Sequence, residues 1–447
     1  MTISRTGTVL VWVAILGLVS ALDARGVDAH AVSSEGQAVP HEFMDPPISA
    51  RPRAFWAWLE GNVDLDRITF ELEEMKAKGM AGGDIWDVHA YINPGKMIQA
   101  GPTFLGASSL KAIGHALKEA RRLGLNLGMI AASGWNAGGQ WVKPADAGMG
   151  LFHSRVDVEG PGRISQVLPF PEGPDACPKD ADGRPLFSQE VAVLAFPQNE
   201  DQTLESTDEV IDVSEFLDND GRIEWVVPEG RWMILRLIMS NTGYQLIAQS
   251  DNSGGPMIDF LNPDATRMHF GTIIDRLESE LGDIRAYPLS YLEVDSMELG
   301  HHTIWTGRIM DRFLQAYSYD PRPFLPLLKG WNIQNAEIRE RFLYDWQKLV
   351  SDVFIESHYR VGSDFLNQYG VKLCAEAGGP GAPIWASCPV DALKALGAVD
   401  ILRGEFWPKM RNIWLVNRRR IFTARPLSMR SRSRAGATCR TAPIFTN

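Results

Sequence analysis

From about Pro46 to Leu402, short apolar runs alternate with amphipathic helical stretches, and this alternation narrows the possible folds more than any other feature. Strand, helix and strand in succession build a parallel sheet with helical crossovers. Arg53 to Trp58 is the first strand candidate. A helix follows from Asp64, which can cap it; Leu65, Ile68, Leu72 and Met75 share one face, and Gly79 ends it. Gly82 to Trp86 reads as the second strand. Ser109 opens a helix with the stripe Leu110, Ile113, Leu117 and Ala120, which stops at Gly124 before a third strand, Asn126 to Ala131. Ala286 to Val294 is the fourth strand. A long helical stretch carrying Phe342, Trp346, Leu349, Val350 and Val353 ends at Gly370, before a fifth strand, Val371 to Ala375, and a sixth, Val399 to Leu402.

Between the third and fourth units the text changes to turn-rich segments separating β-type runs, such as Glu190 to Phe196, Ile223 to Val227 and Arg231 to Met239. The expectation is an α/β fold: a (β/α) TIM-type barrel, incomplete at about six strands where a closed one has about eight, with a β-rich insertion between strands 3 and 4. The organisation expected is a leader over 1–21, first barrel units over 46–149, the insertion over 150–252, later barrel units over 253–416 and a basic tail over 417–447.

Both termini carry their own signals. Arg5, the apolar run Val9 to Val19 and the small residues Ser20 and Ala21 read as an export signal peptide; about eleven apolar residues are too few to span a bilayer. The expected location is therefore periplasmic or extracellular, with no stable membrane span. The tail from Asn417 holds eight arginines, whereas all 55 acidic residues of the 447-residue chain precede it. This abrupt switch reads as a shifted reading frame or premature end, and the expected product is poorly stable and weakly active or inactive. An acidic body argues against nucleic acid as a partner. Cys177, Cys374, Cys388 and Cys439 show no zinc spacing; Cys374 and Cys388 either pair after export or remain buried thiols.

Chemistry in such a barrel sits at the C-terminal strand ends. The strands deliver there Trp56, Trp58, Glu60 and Asn62; Asp84, Trp86 and Asp87; Ser133, Trp135, Asn136 and Trp141; Glu293, Asp295 and Glu298; Glu376; and Glu405 with Trp407. Carboxylates and tryptophans on one rim suit a sugar, because indoles stack on its C–H face and a carboxyl pair can run acid/base chemistry at a glycosidic bond. The residues alone leave open a barrel glycosidase, a metal-assisted hydrolase, other barrel chemistry or pure carbohydrate binding. His301 and His302 are not in a zinc HExxH pattern and read as sugar contacts or their supports. Ser133 is not in a GxSxG elbow.

Six blocks make the reading specific. Trp56-Ala-Trp-Leu-Glu-Gly-Asn62, Ser133-Gly-Trp135 with Gly138 to Pro144, Asp295-Ser-Met-Glu298, Tyr319 to Pro326, Ala375-Glu-Ala-Gly378 and Gly404-Glu-Phe-Trp407 together resemble glycoside hydrolase family 106, the α-L-rhamnosidases. The resemblance implies inverting, calcium-assisted hydrolysis of a terminal α-L-rhamnoside, with a rhamnose-containing oligosaccharide or glycoside as the partner. On it, Glu298 is similar to the general acid, with Met297 where the family pattern has Trp. Glu405 is similar to the general base, and Glu376 to a carboxylate that holds calcium or supports the base. Trp56, Trp58, Asn62, Asp84, Trp135, Asp295, His301 and Trp407 are the expected substrate contacts. The alternative is an inactive or carbohydrate-binding relic of such an enzyme.

Overall fold

The computed structural model describes residues 43, 45–173, 177–199, 201–297, 299, 304–377 and 389–404. Two compact units are distinguished, 1–50 and 51–447; of the first, only its last few residues are described, with a short turn at Ile48–Ala50.

In the second unit the local signals act where the sequence puts them. Strand β1 (Arg53–Leu59) leads into helix α1 (Leu65–Ala77), whose N-cap Asp64 accepts from the Arg67 N–H. Strand β2 (Gly82–Val88) is followed by helix α2 (Ala107–Leu123), which ends at Gly124 in the left-handed conformation, and by β3 (Leu127–Ile130). Helix α2 starts two residues before Ser109, whose hydroxyl accepts from the Leu105 N–H just upstream. Helix α3 (Pro263–Leu281), absent from the sequence reading, is capped by Asn262 and precedes β9 (Leu289–Val294). That strand begins three residues later than expected because Ile284–Ala286 form a 3-10 turn. The long helical stretch is α5 (Ala336–Phe354), a π-helical turn (Ile355–Arg360) and α6 (Val361–Asn367), leading to β12 (Lys372–Ala375), α7 (Ala392–Leu396) and β13 (Ile401–Leu402).

These strands form a parallel sheet in the order β1-β2-β3-β9-β12-β13, each beside its sequential neighbour apart from the insertion. Among the described residues the sheet has the six strands expected and is open, with β1 and β13 as its edges. It is nevertheless strongly curled. Laid flat, six strands would put their outer axes about 24 Å apart, yet the guanidinium of Arg403, just past β13, lies 4.9 Å from the Phe55 ring centroid on β1. Phe55 stays 57% exposed on that concave face. Helices α1, α2 and α3 pack in succession on the other face.

The inserted part supplies four of the five strands of an antiparallel sheet, β10-β4-β8-β5-β7, built on two long strands, β4 (Met149–Val167) and β8 (Arg222–Asn241); β10 is added from beyond β9. The runs at Ile223 and Arg231 are thus one strand, and β4 was not anticipated as a strand. Its middle reads Gly160-Pro-Gly162 and β8 reads Pro228-Glu-Gly230, both turn-like text, but the two meet in register around a bulge between Gly160 and Gly162. Proline is tolerated there because β10 (Ile304–Trp305) pairs with only the first residues of β4, which leaves the distal part of β4 at an edge. Strands β5 (Ser188–Pro197) and β7 (Ile211–Asp212) complete the sheet, and a small core of Leu168, Val193, Val213, Trp225 and Ile234 fills it. A short pair, β6 (Thr203–Leu204) with β11 (Asn332–Ile333), and helix α4 (Ile309–Tyr317) lie along the connections. Among the described residues no helix is long and apolar enough to cross a membrane.

Candidate functional site

Strand β1 ends in a tight turn in which Glu60 and Gly61 both take positive φ, 55° and 69°. Only glycine fits at 61, since a Cβ there would lie 2.7 Å from the Pro102 carbonyl oxygen. The turn drives Glu60 inward, and its carboxylate is 1% exposed. Its two oxygens accept from backbone: Oε1 from the Ala90 N–H at 2.9 Å and Oε2 from the Asp251 N–H at 2.8 Å. At the end of β2, Asp87 is equally buried and accepts from the hydroxyls of Ser133 and Ser250. Burial pushes its carboxyl up to about 6; the two hydroxyls oppose that shift and the Glu60 charge adds to it. His89 follows, with Nδ1 2.6 Å from Glu60 Oε1 and 3.4 Å from Asp251 Oδ1.

The segment that leaves the inserted sheet closes this rim. Residues 247–253 are bonded to three successive strand-end loops: Asp251 to Glu60, Ser250 to Ser133 and Asp87, and the Ala248 carbonyl to the His89 N–H. Ser253 Oγ accepts from the Phe104 N–H, and Asn252 Nδ2 donates to the Gly101 carbonyl. Gly134 makes the approach possible, because a Cβ on it would stand 1.9 Å from the Ile247 carbonyl oxygen. Beside the carboxylates lies an aromatic step. Trp135 stacks on Tyr91 at 6.1 Å between centroids and 22° between planes, and Tyr91 is 43% exposed. The Trp135 carbonyl accepts from the Asp295 N–H at 3.0 Å, so Asp295 joins the same rim.

The expected contacts therefore divide. Trp135 and Asp295 meet at the rim. Trp56 and Trp58 do not: both are buried on the helix side of β1, and Trp56 Nε1 donates to Glu71 of α1 at 2.7 Å. Side chains alternate along a strand, so the face that carries Arg53 and Phe55 to the concave side sends both tryptophans to the helices. Asn62 donates to the Gln99 carbonyl at 2.6 Å and ties down the loop after β2. Asp84 lies deeper, within a network on the concave face rather than at the rim. It accepts from Arg53 Nη2 at 2.7 Å, Arg403 Nη2 at 2.9 Å and the Tyr291 hydroxyl at 2.6 Å. Arg403 also grips both oxygens of the fully buried Glu293. Burial pushes the Glu293 carboxyl up to about 8 against the pull of Arg403, with Asp295 and Asp84 adding to the rise. Glu376 is half-buried just beyond β12. Cys374 is a buried thiol, pushed up to about 12 by burial first and by Glu293 next. Glu298, His301, His302, Cys388, Glu405, Trp407 and the basic tail lie outside the described residues.

His89 and Asp251 were missed from the sequence. His89 was detectable as the residue two beyond Asp87 on the same strand end, whereas Asp251 had no local signal. With Glu60 they form the grouping of three ligating side chains found among the described residues, with ligand atoms all within 4.8 Å of one another. Glu376 is not part of it. Calcium takes about six to eight oxygen ligands, and a set that includes an imidazole nitrogen does not fit it. The expectation of calcium rested on Glu376, and residues 378–388 that follow it lie outside the described residues.

At the level of structure, the rhamnosidase from Novosphingobium sp. PP1Y shares the fold, with a TM-score of 0.66 and 20% identity over 80% of this chain and 48% of that one. A protein of Formosa agariphila named "Putative beta-glucuronidase" is 28% identical over 397 residues, 82% of this chain and 32% of its own length. The chain thus spans about a third of that relative and about half of that solved structure. The sequence profile of glycoside hydrolase family 106, described as alpha-L-rhamnosidase, matches residues 44–203 and 183–421, so the chain belongs to that family.

Proposed function

We propose that the chain hydrolyses a terminal α-L-rhamnoside with inversion, Glu298 acting as general acid and Glu405 as general base. The acid gives its proton to the glycosidic oxygen as that oxygen leaves the anomeric carbon. Water attacks the opposite face of the ring and loses its proton to the base. Sheet order supports this pairing: Glu298 follows β9 and Glu405 follows β13, and only β12 lies between those strands. Their axes are thus about 10 Å apart, close to the roughly 6.5–9.5 Å that an inverting pair requires between its carboxyl groups.

The charge of the rim carries the choice of sugar. Glu60, Asp87 and Asp251 crowd one side of it, and among the described residues no lysine or arginine is ion-paired to any of them. A glucuronate would bring its own carboxylate into that field, whereas rhamnose is neutral and ends in a methyl group. The Tyr91–Trp135 step offers the apolar surface such a ring needs. Export through the 1–21 leader belongs to the same reading and is checked by the mass of the secreted chain.

Assays with p-nitrophenyl α-L-rhamnoside and p-nitrophenyl β-D-glucuronide decide the sugar, with the rhamnoside expected to turn over and the glucuronide not. Faster release from the glucuronide would reverse the assignment. Glu298→Gln and Glu405→Gln should each lower kcat by at least about a hundredfold, and proton NMR should show the β-anomer of rhamnose first. Rhamnose binding without turnover of either substrate would instead identify a carbohydrate-binding relic.

A further inference from the structure

We infer that Glu60, His89 and Asp251 form a binding site for a borderline divalent cation of the zinc class, with a fourth position open to water or a ligand hydroxyl. This goes beyond the reading of the rim as a sugar site and does not depend on it. Three observations carry the inference.

The donor set is one imidazole nitrogen and two carboxylate oxygens, the N/O mixture that zinc accepts and calcium does not favour. Next, the spacing is close to a coordination sphere. Bonds of about 2.0–2.2 Å in a tetrahedron separate ligand atoms by roughly 3.3–3.6 Å, and His89 Nδ1 already stands 3.4 Å from Asp251 Oδ1. Glu60 Oε1, at 2.6 Å from Nδ1, has less than an ångström to withdraw. That short contact lacks hydrogen-bond geometry: Nδ1 is sealed from solvent and has no hydrogen-bond partner among the described residues, while lying between the two carboxylates.

The third observation is the support around the ligands. The Ala90 and Asp251 N–H groups hold Glu60 from behind, one on each oxygen, as outer-shell donors hold a metal-bound carboxylate. Buried beside it, Asp87 adds a further carboxyl group, so His89 is the single basic side chain paired with this acidic cluster among the described residues. A divalent ion would offset two of the three carboxylate charges and leave the rim net negative. The side chain of Asp251 is 48% exposed and leaves an approach from solvent.

The test uses the full chain, stripped with a chelator and titrated with zinc chloride against a chromophoric competitor. One equivalent should bind, and the melting temperature should rise with free zinc. His89→Ala and Asp251→Asn should each weaken zinc binding by at least about tenfold. Asp251→Asn, isosteric and half-exposed, guards against loss by misfolding. Cobalt should give visible absorption bands that His89→Ala abolishes. Binding unchanged in both variants, less than one equivalent bound, or calcium displacing zinc at equal concentration would each overturn the assignment.

Discussion

Two charged regions of this molecule use the same residue types to opposite ends. On the concave face, Asp84 and Glu293 are matched by Arg53 and Arg403, and the Tyr291 hydroxyl is shared among them. Every carboxylate there has a guanidinium. At the rim, Glu60 and Asp87 are buried to the same degree, but apart from the His89 ring beside Glu60 their partners are backbone N–H groups and serine hydroxyls. The first arrangement cancels charge and holds strands from opposite edges of the sheet together. The second satisfies the hydrogen bonds but leaves the negative charge standing, which is what a site for a cation or a polyhydroxyl ligand needs.

The comparison is broken most easily by removing one guanidinium. Arg403→Ala should cost about 3–5 kcal/mol, because it strands buried Glu293 and Asp84. Urea unfolding measures it, and a loss below about 1 kcal/mol would show that the network does not tie the sheet.

Acid offers a second test, at groups that are buried without charge. His269 and His358 are fully enclosed, and burial pushes both rings down to about 3. Their folded values lie below the unfolded value of about 6.5, so the unfolded chain binds more protons between those limits. Stability is then full above about pH 6.5 and falls as the pH drops toward 3, by up to about 2 kcal/mol for each ring between pH 7 and pH 5. Melting curves across that range check the sign. His269→Phe, which keeps the stacking on Trp141, should reduce the slope.

At the rim the expected effect moves from stability to function. Glu60→Gln keeps one acceptor oxygen but turns an amide N–H₂ toward a backbone donor, at a cost of about 1–2 kcal/mol in folding. Its kcat/KM should nevertheless fall at least about tenfold if the standing charge is used (~1.4 kcal/mol). Equal, small losses in both would assign Glu60 to the turn alone. Smallest of all, Tyr91→Ala should change stability by less than about 0.5 kcal/mol. It should raise KM about two- to tenfold with kcat unchanged, the signature of lost ring stacking.

Much of the frame was legible because its causes are local. Asp64 caps α1 and Gly124 ends α2 through contacts within a few residues, and the apolar stripes between them follow from helical spacing. The strand-helix order likewise anticipated a parallel sheet with sequential neighbours. The long strands β4 and β8 were obscured, since Gly160-Pro-Gly162 and Pro228-Glu-Gly230 read as turns until they are seen paired.

The candidate site divides along the same line. That Glu60, Asp87 and Trp135 stand at strand ends was readable, because each follows an apolar run. Which face of β1 turns to the concave side was not, as both faces of that strand carry large apolar side chains. Only the packing of α1, with Glu71 bonded to Trp56, sends the tryptophans to the helices. The joining of Asp251 to Glu60 and His89 is more remote still. Four strands of the antiparallel sheet lie between them in sequence, and only the return of the chain across the rim puts the three ligand atoms within reach of one ion. Backbone propensity and capping act over a handful of residues and are written in the text; the meeting of side chains from distant loops is set by how sheets and helices close on one another, which tertiary packing alone decides.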